Sequence, residues 1–383
     1  MLRRLIVLLV SVFVTGCLGA AGSLAPCDSE SNHAAICGLT NPEDMGFLPD
    51  PEWIVVSEMA PNEQADQSGE SVTPSGRLTA IRLSDLKRRS LFPTDRSAPD
   101  APEMASQPAS GDPVSWGDPS CPGEPDPMKF QPHGIDVGVG ETGRASVAVV
   151  NHGSREAIEL FEIVDMDGPA LVWRGCVPMI PNRSANDVAW LPGGAFVVTN
   201  FMPLLDRVSM KAIWTLLKIG FGAKTGSVLA WAPGERLQEI ENSEGSAPNG
   251  VEASADGTSL FVAEWGGESV YRLRLVGDGP PQRDEVSLEQ NPDNLTWMRD
   301  GRLLVAGQHG GVSASMSCAS IQNAGCDIGY SVYVIDPDAL TASRLFEGRG
   351  AASVALEISR DDAGEIFVGF FIGDQIERVS RAD

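Results

Sequence analysis

Six short polar segments stand directly before apolar runs: Glu43-Asp44, His133-Gly134, Asn186-Asp187, Asn249-Gly250, Asp293-Asn294 and Ser353-Val354. Taken singly, each is an ordinary turn former, because Asn, Asp and Ser bond their own backbone at chain reversals. Their recurrence at the same place in successive units is a different signal. If the units converge, Glu43, Asn186, Asn249, Asp293 and Asn294 present carboxylate and amide oxygens to one point. Hard oxygen donors without cysteine or histidine ligation select calcium over zinc, and their number favours calcium over magnesium. The histidines are His33, His133, His152 and His309. An imidazole takes a proton from water near neutral pH, and a second can relay it. His133 opens one apolar strand and His152 follows the next, so both can face the same end of the structure they build.

The elements that position these residues are repeats. A short apolar β run recurs at 53–58, 146–151, 195–200, 260–264, 303–307 and 366–369. Each is followed by a second strand of period-two alternation, for example 78–83, 157–163 and 269–275, as half-buried strands require. Turns such as Leu191-Pro192-Gly193-Gly194, Ala255-Asp256-Gly257 and Arg299-Asp300-Gly301 precede several runs, and a further short strand precedes each turn. Strand, glycine turn, apolar strand and outer strand make a blade, and six blades close a ring with only short, protected edges. The expected fold is therefore all-β, a six-bladed β-propeller over residues 41–383. In such a ring the start of each innermost strand points into the central channel, which is where the polar segments stand. No segment has the βαβ rhythm of a parallel sheet. A β-sandwich is the alternative.

At 383 residues the chain could hold two average domains, and one large all-β domain fits equally well. The net charge of -24 argues against nucleic acid, whose phosphates require a basic face. It suits a protein that binds divalent cations, and acidic solubility accounts for it as well. Residues 95–128 hold eight prolines among Ser, Asp and Gly and read as a Pro-rich loop inserted between blades. Residues 207–224 carry four basic side chains and no acidic one. Arg207, Lys211, Thr215 and Lys218 project on one helical face, and Met210, Ile213, Trp214 and Leu217 on the other. A helix lying in a membrane surface has this composition, and so does a helix capping its own propeller.

The amino terminus carries an export signal. Arg3 and Arg4 precede an apolar stretch too short to span a membrane. It ends in Val14-Thr15-Gly16-Cys17, which resembles the lipobox of bacterial lipoproteins. Residues 1–17 are thus expected to be a signal peptide with Cys17 lipidated, and 18–40 a cysteine-containing leader. The alternative is a plain secretory signal with a chance cysteine. Leu18 after the cysteine favours outer-membrane sorting, on the periplasmic side, in a Gram-negative host. Beyond Cys17 the cysteines are Cys27, Cys37, Cys121, Cys176, Cys318 and Cys326. An even count in an exported chain suggests disulfides. Sequence does not choose the connectivity, though short spans favour Cys27–Cys37 and Cys318–Cys326, leaving Cys121–Cys176.

From about residue 41 to the carboxyl terminus, the chain resembles the serum paraoxonase and arylesterase family. The resemblance is carried by Glu43-Asp44-Met45, Pro132-His133-Gly134-Ile135, Val149-Val150-Asn151-His152, Ile158-Glu159-Leu160-Phe161, Asn186-Asp187, Asn249-Gly250 and Asp293-Asn294. It implies a calcium-dependent six-bladed lactonase with two ions. Residues matching Glu43, Asn186, Asn249, Asp293 and Asn294 hold the catalytic calcium, and those matching Asp44, Asp187 and the carbonyl of Ile135 help hold a structural one. His133 and His152 match the catalytic dyad, and His309 a third active-site histidine. The basic segment 207–224 occupies the place of the family's membrane-facing helix. Phe201 and Met202 stand where the family has an acidic residue and a histidine, Gln308 replaces a cysteine, and the carboxyl-terminal cysteine is missing.

Three functions follow. The first is a calcium-dependent lactonase or arylesterase acting on small lipophilic lactones or esters at a membrane surface. The second is a related propeller of the gluconolactonase and strictosidine-synthase-like group with another substrate. The third is a lipoprotein that uses the ring only as a binding platform, which gives no reason for two histidines beside five oxygen donors.

Overall fold

A computed structural model describes residues 21–29, 34–61, 64–65, 71–72, 74–94, 116–205, 209–277, 279–321, 324–358 and 364–380. Its architecture is the six-bladed propeller. The innermost strands are Pro42–Phe47, Pro132–Val139, Arg183–Trp190, Pro248–Ala253, Asn291–Trp297 and Ala351–Ile358. Each contacts the inner strand of the next blade, and the last returns to the first, so the ring is closed. The sheets are antiparallel throughout, save that Trp116–Gly117 adds to the second blade in parallel.

The apolar runs form the second strand of every blade because both of their faces are buried. In the first blade Ile54 and Val56 pack against the sixth, with Val354 and Phe367. Val55, between them, points the other way and packs with Val147, Val149 and Phe161 of the second blade. The fifth blade repeats this: Leu304 and Ala306 face one neighbour, Leu303 and Val305 the other. Period-two alternation thus feeds two inter-blade cores at once, which is why these runs read as continuously apolar.

Ring closure is not covalent. Ala35–Cys37, near the amino terminus, pairs with the carboxyl-terminal strand Gln375–Ser380 and completes the sixth blade. The Cys27–Cys37 disulfide ties that strand to the preceding segment. The other bridges are Cys121–Cys176 and Cys318–Cys326, the pairing that the short spans favoured. Cys121–Cys176 holds the end of the Pro-rich insertion against the second blade, whereas 95–115 lie outside the described residues. Residues 1–20, with the expected signal peptide and lipidated Cys17, also lie outside the described residues.

Among the described residues two α-helices interrupt the blades, Met210–Gly220 in the third and Gly311–Cys318 in the fifth. Both join the second strand to the third, both therefore sit at the same end of the channel, and they touch. The first is shorter than the charge pattern over 207–224 suggested. Ser209 caps it by accepting the Ala212 amide, and it ends before Gly222 at φ 66°. Its orientation also differs from a simple two-faced projection. Thr215 and Ile219 are buried, with the Thr215 hydroxyl donating to the Lys211 carbonyl at 2.9 Å. Met210, Ile213, Trp214 and Leu217 are exposed. Among the described residues no helix is long and apolar enough to cross a membrane.

Closure by a short strand makes Ile36 a sensitive position, since it is 4% exposed and packs with Phe367 and Ile376. Ile36→Ala should destabilise the fold by about 2–5 kcal/mol, the usual range for truncating a buried aliphatic side chain. Equilibrium unfolding in urea measures it, and an unchanged midpoint would show that the strand contributes nothing to closure.

Candidate active site

All six inner strands are irregular at the same place. Pairing with the second strand jumps between Pro42 and Asp44, Pro132 and Ile135, Ala185 and Val188, Pro248 and Val251, Pro292 and Leu295, and Ala352 and Val354. The residues skipped are Glu43, His133-Gly134, Asn186-Asp187, Asn249-Gly250, Asp293-Asn294 and Ser353. A regular strand sends successive side chains to opposite faces, and a bulge breaks that alternation and re-aims them. The polar segments are therefore not turns. Two of the bulges need glycine, because a Cβ on Gly134 or Gly250 would lie 2.6 Å from the Cα of Asp187 or of Asn294.

The bulges interlock around the axis. The Asn294 amide donates to Glu43 Oε1 at 2.9 Å, and the Ser353 hydroxyl to the Glu43 carbonyl at 2.6 Å. The Thr199 hydroxyl donates to the Asn249 carbonyl at 2.5 Å. Asp293 accepts from Gln308, whose own Oε1 accepts the Trp265 indole N–H at 2.9 Å. After all of this, four buried oxygens at the axis have no partner: Glu43 Oε2, Asn186 Oδ1, Asn249 Oδ1 and Asn294 Oδ1. Buried acceptors are nearly always satisfied, so four orphans contributed by four blades fit a hard cation. No three His, Cys, Asp or Glu side chains form a metal cluster among the described residues. The oxygen set is mixed, three amides with two carboxylates.

Asp44 and Asp187 lie between blades and are differently engaged. Asp44 accepts the amides of Met45 and Ile135 at 2.8 and 2.7 Å. Asp187 accepts those of Val188 and Val251 at 2.8 and 2.7 Å. Burial raises the carboxyls of Asp44 and Asp293 to about 7, and burial first, then Asp44 and Asp293, raises Glu43 well above its usual range. Asp187 is raised too, by burial and then by Asp44.

The histidines meet beside this cluster. His133 Nδ1 and His152 Nε2 are 2.8 Å apart. His133 Nε2 lies 3.5 Å from Glu43 Oε1, and burial, with His152 beside it, depresses its pKa to about 3. The imidazole is neutral and keeps a lone pair. His152 Nδ1 in turn lies 2.8 Å from Glu156 Oε1. His133 and His152, with Glu43, Asn186, Asn249 and Asp293, floor a cavity of about 340 Å³. Its walls are apolar, including Phe201, Met202, Leu216, Trp265, Val312 and Phe371, and most come from the connections between second and third strands. His309 is not part of the lining. It pairs with Ser331 at 2.8 Å, while Gln308, one residue earlier on the strand, faces the cavity instead. Sequence reading missed Glu156, which lies in an irregular connection where no periodicity marks it.

The arylesterase family profile matches residues 120–370, which span the second to fifth blades and most of the two inner strands of the sixth. The chain belongs to the arylesterase family. Comparison with curated proteins returns no match. Among solved structures, a luciferin-regenerating enzyme is similar at a TM-score of 0.51 and 12% identity, covering 93% of this chain and 95% of that one. Regucalcin from Agrobacterium tumefaciens, described as a calcium-binding protein, matches at 0.49 and 12%, covering 89% and 90%. A gluconolactonase from Xanthomonas campestris matches at 0.45 and 15%, covering 90% and 97%. At these identities the likeness is one of fold.

The raised carboxyls give this arylesterase-family member a pH signature. The folded chain holds protons that the unfolded chain has released, so in chelator its stability falls as pH rises from about 4 to about 7. Melting curves across that window check it, and a stability that rises with pH in chelator contradicts it.

Proposed function

We propose that this arylesterase-family chain is a calcium-dependent hydrolase that opens lipophilic lactones or aryl esters. One observation carries the reading: a hydrogen-bonded histidine pair sits beside four unpartnered buried oxygens at the floor of an apolar cavity. Glu43, Asn186, Asn249, Asp293 and Asn294 would hold the catalytic calcium, and Asp44, Asp187 and the Ile135 carbonyl a second ion, on lone pairs left by the amides. The chemistry that bound calcium supplies is polarisation of the substrate carbonyl.

The protein's own groups supply the rest. His133 Nε2 takes a proton from water as the oxygen attacks the carbonyl carbon, and its bond to His152 spreads the charge. When the ring or ester C–O bond breaks, the leaving oxygen takes that proton back. Phe201, Met202 and Trp265 exclude water and bind the apolar part of the substrate. Phe201 and Met202 pack together against Ile219 of the helix, so the departures from the family's polar pair make the pocket more apolar.

Location belongs to the same proposal: export, lipidation at Cys17, and contact of the helix with the membrane surface. Support comes from the exposed Met210, Ile213, Trp214, Leu217 and Phe221 with Lys211 and Lys218 also exposed, an apolar face with basic residues beside the cavity. A helix that capped the ring would bury that face.

A panel of lactones and aryl esters, assayed with calcium and with chelator, tests the activity. His133→Gln should keep fold and calcium but lose about 10²–10⁴-fold in rate, the usual share of a general base. Asn249→Ala should lose rate and melting temperature together, with added calcium restoring part of both. Turnover that is indifferent to chelator, or an undiminished His133→Gln, would overturn this mechanism.

A further inference from the structure

The dyad has a third member that the sequence did not announce. Glu156 ends the connection between the second and third strands of the second blade, with one oxygen 2.8 Å from His152 Nδ1. Its other oxygen accepts the amide of Ala185 at 3.2 Å, immediately before the bulge that carries Asn186. Both histidines are largely shielded, with side chains 19% and 21% exposed, as is Glu156 at 16%.

We infer that Glu156 is the positioning residue of this site, fixing the tautomers of both imidazoles so that the lone pair of His133 Nε2 faces the cavity. A carboxylate only accepts, so His152 Nδ1 must carry a proton. A neutral imidazole has one proton, so His152 Nε2 is bare and accepts. His133 Nδ1, 2.8 Å from it, is then the donor, and His133 Nε2 is left bare beside Glu43. Each assignment follows from the one before it, and only the first depends on a group outside the pair. Removing that acceptor lets the chain of protons reverse, with His133 Nε2–H facing the cavity and no base there. The consequence for rate rests on His133 being the base, but the tautomers themselves do not.

Nitrogen-15 spectra of histidine-labelled full-length protein at a pH of about 8, above the unperturbed imidazole value of about 6.5, read the tautomers directly. With four histidines in the chain, His→Gln variants assign the signals. The wild type should show both His133 and His152 protonated at Nδ1 and bare at Nε2. Glu156→Ala should move the His152 proton to Nε2 and reverse His133, and kcat should fall about 10²–10⁴-fold with KM little changed. Glu156→Asp, which keeps a carboxylate, should recover part of the wild-type pattern. A wild-type His152 carrying its proton on Nε2 overturns the inference without any variant, and so does a Glu156→Ala spectrum with both tautomers unchanged. Reversed tautomers with full kcat would uphold the positioning role and remove His133 from the chemistry instead.

Discussion

The site depends on a strand defect repeated six times. A propeller blade is a twisted antiparallel sheet, and its innermost strand would ordinarily alternate its side chains between two neighbouring blades. Displacing the register at Glu43, His133, Asn186, Asn249, Asp293 and Ser353 frees those side chains from that duty. Because the blades are related by rotation about one axis, equal defects converge on one place. The arrangement of these polar side chains is thus a property of the ring, and any change that alters blade spacing alters it.

That convergence works against the fold. Glu43, Asp44, Asp187 and Asp293 are all buried within one small region, and several raise one another's pKa. Four oxygens, one of them Oε2 of Glu43 itself, are left without donors. Removing a polar group from water without compensation costs on the order of 1–3 kcal/mol in proteins. The remainder of the molecule offsets this with inter-blade cores filled from both sides of each second strand, the strand that closes the ring, and three disulfides. The stabilising contacts lie between the blades, and the uncompensated polar groups at the axis.

Much of this was legible in the residues. The six apolar runs announced the second strands because burial on both faces leaves no room for polar residues. The polar pairs announced the axis because nothing else explains their recurrence. What the pairs did not reveal was the bulge, since register is a relation between strands. Thr215 shows the limit of helical projection: it falls beside Lys211 and Lys218 on a wheel, yet the helix settles on it because Ile219 and the cavity wall lie beneath. His309 pairs with Ser331 while Gln308, its neighbour on the strand, lines the cavity, a difference of facing that a motif match does not carry. Glu156 was invisible because its contact with His152 crosses an irregular connection, and the bulge it also supports is brought near only by folding.

The account stands on one cation at the axis, so the most direct measurement is crystallographic location of calcium by anomalous scattering, in crystals grown with the ion. The predicted result is a peak at the axis within about 2.3–2.6 Å of Glu43 Oε2, Asn186 Oδ1, Asn249 Oδ1 and Asn294 Oδ1, the usual calcium–oxygen range. An axis without a peak, its four oxygens instead turned toward protein donors, would contradict it.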